Sequence, residues 1–319
     1  KETPMKAGFS RIKLTPAIGT TMTGYIRRDR EGGCEGVHDD LYVRALYLDD
    51  RDEEAIIMGF DLCFFSRDEV DRFKGAIGRR LDLSPQQILF NTSHTHTGPK
   101  VGTWQYDPPS DRLYLQVVED AIVEAAIRSR ESTVEVTLWS GATRSALPMS
   151  RRLKLEDGTI VWRPSPDADV CDTLPVCALK DSAGNMVCVL FSVACHPSTV
   201  HGREISADYP GVAMDLLDSH LGRTCSLFLQ GTGGDAKPSV IGEGETDWRR
   251  GTWEDMDRAG NIVAEEVLGV LKEGLSSVEP GLRTRTIEAP WPLEANIGRA
   301  GYEAVLVDPE SILTRRLWA

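Results

Sequence analysis

QQILFNTSHTHTGP, residues 86–99, is a short apolar run that breaks into a polar, histidine-bearing end. Its first half reads as a buried strand and its second as a loop at the strand's end. Along an extended chain, residues two apart point to the same side, so His94 and His96 are expected to face one point. Neutral imidazole is a good zinc ligand once a neighbouring acceptor fixes which ring nitrogen keeps the hydrogen. The chain holds six histidines in all. Two of them at one strand end favour metal binding over a pair of ordinary loop histidines.

Outward from this stretch, strand-like and helix-like runs alternate, which predicts a mixed α/β protein with its active site on loops at strand ends. Upstream lie two strand candidates, LYVRALYLDD (41–50) and EAIIMGFDL (54–62), then a helix candidate over 66–81 capped by Ser66 or Asp68. Downstream, apolar residues at helical spacing from Leu113 to Ala125 predict a helix over about 111–128. TVEVTLWSGATR (133–144) alternates as a strand, and KLEDGTIVW (154–162) reads as a hairpin turning at Asp157-Gly158. A second hairpin, residues 177–197, turns at 182–185 and runs into His196. A short helix then ends at Gly222, CSLFLQ (225–230) reads as a buried strand, and a last helix covers about 253–272.

Polar residues therefore gather at three strand ends. ACHPST (194–199) places His196 where proline stops a strand. GTGGDAKP (231–238) is a glycine-rich loop whose N–H groups could hold an oxyanion; the phosphate-loop spacing is absent. Arg151-Arg152 is a guanidinium pair open to a substrate carbonyl or carboxylate, or simply to water. Asp61 could orient a ligand histidine or cap its strand. His201 could be a further ligand, although a surface-loop role is favoured.

Composition narrows the function. With 41% hydrophobic residues in 319, a sizeable core is within reach, and one domain over 1–319 is expected. The net charge of −13 repels phosphate backbones, so no nucleic-acid partner is expected. No apolar stretch approaches a membrane span, and KETPMKAGFS lacks an apolar leader core. Seven cysteines, an odd number without any C-x-x-C, read as buried free thiols and favour a cytoplasmic setting over a secreted one.

HTHTGP (94–99) resembles the H-T-H-[ST]-G-P signature of the neutral/alkaline ceramidases. GVHDDLYVRA (36–45) is similar to their early G-[IV]-H-x-x-L-x-x-R-A segment. Ser150-Arg151-Arg152 sits where the family has N-R-R or N-R-S. ACHP (194–197) resembles its strand ending in His-Pro, and GGDAKP (233–238) its G-D-x-x-P loop. All occur in the family's order. The resemblance implies a zinc amidase with His94 and His196 as metal ligands and a glutamate and a tyrosine completing the set. It implies that His96 lies beside the metal and helps bind substrate or transition state, and that Arg151 lies near the substrate head. Asp235 joins His96 and Arg151 among the expected catalytic residues, with Gly233 and Gly234 forming the oxyanion loop.

Two departures matter. Ceramidases carry serine in that loop, as G-D-x-S-P-N, whereas here the position is Lys237. The expected substrate is therefore a small N-acyl compound, lipid amides included, rather than ceramide. Second, the family continues at length after the position of Pro290, through the stretch that carries its glutamate and tyrosine ligands. Here WPLEAN (291–296) runs almost directly into IGRAGYEA (297–304), so a segment near 290–300 is expected to be lacking and the metal site to be incomplete. Two other readings stay open. A non-catalytic relative would bind a ligand or partner. An amidohydrolase-type metal barrel also uses H-x-H, but on its first strand, which fits poorly with the 93 residues before His94.

Overall fold

The computed structural model describes residues 5–29, 31–102, 111–290 and 298–307. Nine strands form one mixed sheet: β1 (Met5–Lys13), β2 (Tyr42–Asp49), β3 (Glu54–Phe60), β4 (Ile88–Thr92), β5 (Val134–Arg144), β6 (Thr173–Asp181), β7 (Met186–Val193), β8 (Ser226–Gln230) and β9 (Ser276–Val278). Their order is β8-β7-β6-β5-β1-β2-β3-β4, with β9 also on β5. Helices α1 (Arg67–Leu81), α2 (Arg112–Glu131), α3 (Asp208–Leu221) and α4 (Trp253–Glu273) pack against it. A fifth, α5 (Gly298–Val307), buries no side chain. The mixed α/β class expected from the alternating pattern is the observed one.

Alternation along each strand shows how the layers stack. In β2, Val43, Ala45 and Tyr47 enter a core with α1 and α2, while Leu46 and Leu48 point the other way. In β7 and β8, Val189, Phe191 and Phe228 meet α3 and α4, while Cys188 and Leu227 point inward. The inward sets share a single cluster, so the sheet doubles over and its two halves face each other between two helical layers. The approach is close at Gly59 in β3, where an added Cβ would lie 2.6 Å from Leu227 Cδ1.

The doubling brings the sheet's two edge strands together. Gln230 N donates to Asn91 Oδ1 at 2.7 Å, and Asn91 Nδ2 donates to the Gln230 carbonyl at 3.2 Å. β3 and β4 run parallel, as do β7 and β8. The C-terminal ends of all four therefore converge on one rim. Loops outside the carboxyl ends of parallel strands are the usual ligand crevice of an α/β sheet.

β1 did not stand out in the sequence, where the N-terminal stretch was read only for its lack of a leader core. Met5 and Ala7 are buried, and the strand joins β2 to β5, holding the two halves together. Its nine residues interleave lysine, serine and arginine with the apolar ones, so the pattern is weak. Asp111 caps α2 by accepting from Leu113 N at 2.8 Å and Tyr114 N at 3.1 Å. Among the described residues no disulfide forms, and five of the seven cysteines are buried. Among the described residues no helix is long and apolar enough to cross a membrane.

Candidate metal centre

His94 lies two residues past β4 and His196 three past β7, so the doubled sheet delivers both to the same rim. The chain holds His94 by donating from His94 N to the Leu62 carbonyl at 2.9 Å, just beyond β3. His94 itself is left-handed, with φ of 69°. His94 and His96 do face one point, as expected, but a sharp turn aims them there rather than strand alternation. Such a backbone in a non-glycine residue costs on the order of 1 kcal/mol or more and persists only where its surroundings hold it.

The three imidazoles form a triangle. Ring centroids are 5.0 Å apart for His94 and His96, 4.9 Å for His94 and His196, and 5.4 Å for His96 and His196. His94 Nδ1 lies 2.8 Å from the Cys63 carbonyl, and His196 Nδ1 lies 2.8 Å from the Gly233 carbonyl. A carbonyl only accepts, so both Nδ1 atoms carry the hydrogen and both Nε2 atoms present a lone pair. His96 differs: both its ring nitrogens are buried without a hydrogen-bond partner among the described residues. Its amide donates to the Pro197 carbonyl and its carbonyl accepts from Arg28 Nη1 at 2.8 Å, which pins the backbone while the ring stays unbonded. Unpartnered buried nitrogens are costly unless something outside the chain completes them.

Burial pushes the pKa of all three rings down. His196 falls to about 4, first through desolvation, with Arg151 and His94 adding to it and the Gly233 carbonyl opposing. His94 falls below the usual value and His96 well below it, in both cases chiefly through desolvation. The rings are thus neutral at pH 7, the form that binds a metal without displacing a proton. These features fit a divalent metal ion.

Cys63, His94 and His96 also bring one ligand atom each within 4.8 Å of one another. Cys63 Sγ is 3.7 Å from His94 Nδ1. That nitrogen already faces the nearer Cys63 carbonyl, so the thiol lies on the back of the ring, away from the free Nε2. His196 is not part of that group of potential ligand atoms, although its ring lies next to those of His94 and His96. Asp61 orients neither histidine. Its carboxylate accepts from Arg44 Nη1 and from Tyr42 N, each at 2.9 Å.

The glycine loop after β8 serves His196 directly. Gly231 N donates to the Val193 carbonyl at 3.0 Å and Gly233 N to the Gly231 carbonyl at 2.8 Å, so these two N–H groups are occupied. The Gly233 carbonyl is what positions the His196 ring. A Cβ on Gly233 would lie 2.4 Å from Cys195 N, a backbone atom that cannot swing aside. Gly233→Ala is expected to displace this carbonyl and, if a divalent metal ion sits here, to weaken its affinity by about 10–100-fold, the usual cost of losing an outer-shell partner. Competition with a chromogenic chelator reads this out, and circular dichroism confirms that the variant folds.

Arg151 Nη2 donates to the Gly234 carbonyl at 2.7 Å, and Arg151 N to the Asp235 carbonyl at 2.8 Å. Asp235 favours the Arg151 cation against the desolvation that opposes it. Lys237 is buried, with its ammonium 5.0 Å from the Trp162 ring and 5.2 Å from the Trp248 ring. Burial and then Arg151 lower its pKa to about 8. Beside the histidines an open cleft of about 360 Å³ is lined by His94, His196, Gly231, Gly233 and Gly234, among others.

Tyr25 and Arg28 went unnoticed in the sequence. Tyr25 packs edge-on to His96 at 5.1 Å and against His201 at 4.1 Å, and Arg28 stacks over it. Arg28 lies in a four-residue helix, Ile26–Asp29, and Tyr25 just before it, a stretch too short to show a periodic pattern, so only the folded chain shows them. His201 stands behind Tyr25, outside the triangle. Among the described residues no carboxylate joins the group of potential metal ligands. Residues 291–297, within the stretch near 290–300 where a segment was expected to be lacking, lie outside the described residues, and Tyr302 is a half-buried residue of α5.

No protein-family model matches the chain, and no curated protein matches it in sequence. Its shape does have relatives: the fold is that of the neutral ceramidases. A crystal structure of neutral ceramidase from Pseudomonas aeruginosa superposes with a TM-score of 0.73 at 14% identity, over 86% of this chain and 45% of that one. A ceramidase complexed with C2 gives a TM-score of 0.72 at 15% identity, over 85% and 44% respectively. The chain thus spans less than half the length of either.

Proposed function

We propose that this chain is a zinc-dependent amide hydrolase of the neutral ceramidase family that acts on an N-acyl compound, within a single catalytic domain over residues 1–319. The observation that carries the reading is the imidazole triangle, with two Nε2 lone pairs set by backbone carbonyls and a third ring left wholly unbonded. His94 and His196 would hold the ion. Bound zinc supplies a Lewis acid that polarises a carbonyl and brings the pKa of water to about 7. The proposed reaction breaks the amide C–N bond, leaving the oxygen of water on the acyl carbon and a proton on the departing nitrogen. His96, neutral and unbonded, can donate one ring N–H to the developing oxyanion, a contact worth about 3 kcal/mol in such sites. Arg151, anchored on Gly234, adds positive charge at the same place, and the Asp235 carboxylate attracts that guanidinium. Tyr25 and Arg28 hold the His96 ring and backbone so that its hydrogen bond needs no rearrangement.

The ligand-binding reading without catalysis draws on the absence of a carboxylate near the histidines among the described residues. The test is elemental analysis of the purified protein alongside hydrolysis of a panel of N-acyl amides. One zinc per chain with turnover of small N-acyl amides, and poor turnover of ceramide, is the expected result. Zinc without turnover of any amide would leave the binding role, and absence of both would overturn the proposal.

A further inference from the structure

We propose that the substrate carries a carboxylate close to its scissile amide, as an N-acyl amino acid does, and that Lys237 is the residue that binds it. The inference rests on the amide-hydrolase reading and names its substrate class.

Residues 148–150 and 236–238 form a two-stranded antiparallel ribbon that pairs Lys237 with Met149 and Ala236 with Ser150. Arg151 continues the ladder opposite Asp235. Side chains alternate across such a ribbon, so Met149, Arg151, Asp235 and Lys237 share one face. Lys237 and Arg151 are diagonal neighbours on it, a relation that spaces side chains about 7–8 Å apart. The ribbon also touches the triangle, because His196 N donates to the Ala236 carbonyl at 3.1 Å, one residue from Lys237.

The two cations differ in what answers them. Arg151 has the Gly234 carbonyl and the nearby Asp235 carboxylate. Lys237 is flanked by Trp162 and Trp248 and forms no ion pair among the described residues. Asp208, which also attracts it, is already bonded to Thr199 Oγ1, Thr199 N and Tyr209 N. Aromatic faces steady an ammonium ion without neutralising it. In a chain of net charge −13, a buried ammonium that makes no ion-pair contact among the described residues, with the buried Asp208 carboxylate attracting it only from beyond contact distance, marks the place for an external anion beside the imidazole triangle. The single ammonium of Lys237 is matched by a monoanionic carboxylate.

The probes are N-dodecanoylglycine and its carboxamide, which have the same size and the same scissile bond and differ in one charge. With the zinc-loaded wild type, kcat/KM is expected to favour the carboxylate by at least about tenfold, the range for hydrogen bonds to charged groups. Lys237→Met should lower that ratio at least tenfold, and the control Lys272→Met, at an exposed lysine in the last turn of α4, should leave the ratio in place. Equal turnover of both probes by the wild type, or an equal loss on both in Lys237→Met, overturns the inference and leaves the amide-hydrolase reading standing. Calorimetric binding of N-dodecanoylglycine that depends on Lys237, without hydrolysis of either probe, overturns the amidase reading instead.

Discussion

Replacing His196 with alanine is expected to remove stoichiometric zinc and amide hydrolysis together, and His94→Ala should do the same. Each ring holds its hydrogen on Nδ1 against a backbone carbonyl and leaves Nε2 free. Losing either ring removes one of two lone pairs held at fixed positions. Losses of 10–100-fold in affinity are usual when only an outer-shell partner is removed, so loss of a ligand should exceed about a hundredfold. His96→Ala separates the roles. It leaves both carbonyl-oriented rings in place, so zinc should stay, while kcat falls by about 10²–10³, the cost of one oxyanion donor. Metal analysis after dialysis, paired with steady-state kinetics on one N-acyl amide, checks all three variants. Full occupancy in both His94→Ala and His196→Ala would refute the ligand assignment.

Much of this site was legible because strand ends leave marks in sequence. An apolar run that halts at His-Pro, another that halts at Thr-Ser-His, and a third that dissolves into glycines all announce a sheet rim. Which strands become neighbours was not legible. β4 and β8 lie 139 residues apart at the Asn91–Gln230 contact, and their meeting depends on the sheet doubling over. The partners of the histidines were hidden for a different reason. The groups that orient His94 and His196 are backbone carbonyls, which every residue has, so no residue type could signal them. Asp61 suggested an orienting carboxylate, but Arg44 takes that charge, and Cys63, two residues on, contributes its carbonyl instead. Tyr25 and Arg28 were missed because they come from a segment without period. The ligand glutamate and tyrosine implied by the resemblance were placed neither from sequence nor among the described residues.

Arg44→Met is expected to destabilise the fold by about 3–5 kcal/mol, the usual consequence of removing one partner of a buried ion pair. Arg44 and Asp61 are each only 2% exposed, and the contact between them is 2.9 Å. Methionine fills much of the volume, so the loss comes from a carboxylate stranded in the core rather than from a cavity. Burial already pushes the Asp61 pKa up, and Arg44 is the main group pulling it back down. Without Arg44 the folded-state pKa rises further above the unfolded value of about 4. A carboxyl with a raised folded pKa costs stability at all pH above that unfolded value, and the cost fades as pH falls through the folded pKa. The deficit of the variant should therefore be larger at pH 7 than at pH 5. Adding Asp61→Asn removes the stranded charge while its side-chain oxygen can still accept from Tyr42 N, so Arg44→Met/Asp61→Asn should regain most of the loss. Urea unfolding of the wild type and both variants at the two pH values tests this. A single-variant deficit below about 1 kcal/mol, or one that grows on acidification, would contradict it. The same substitution reaches the site, because the strand end that Asp61 anchors leads directly to the Leu62 and Cys63 carbonyls that hold His94. Under the proposed metal-site reading, zinc bound to Arg44→Met should exchange faster than zinc bound to the wild type.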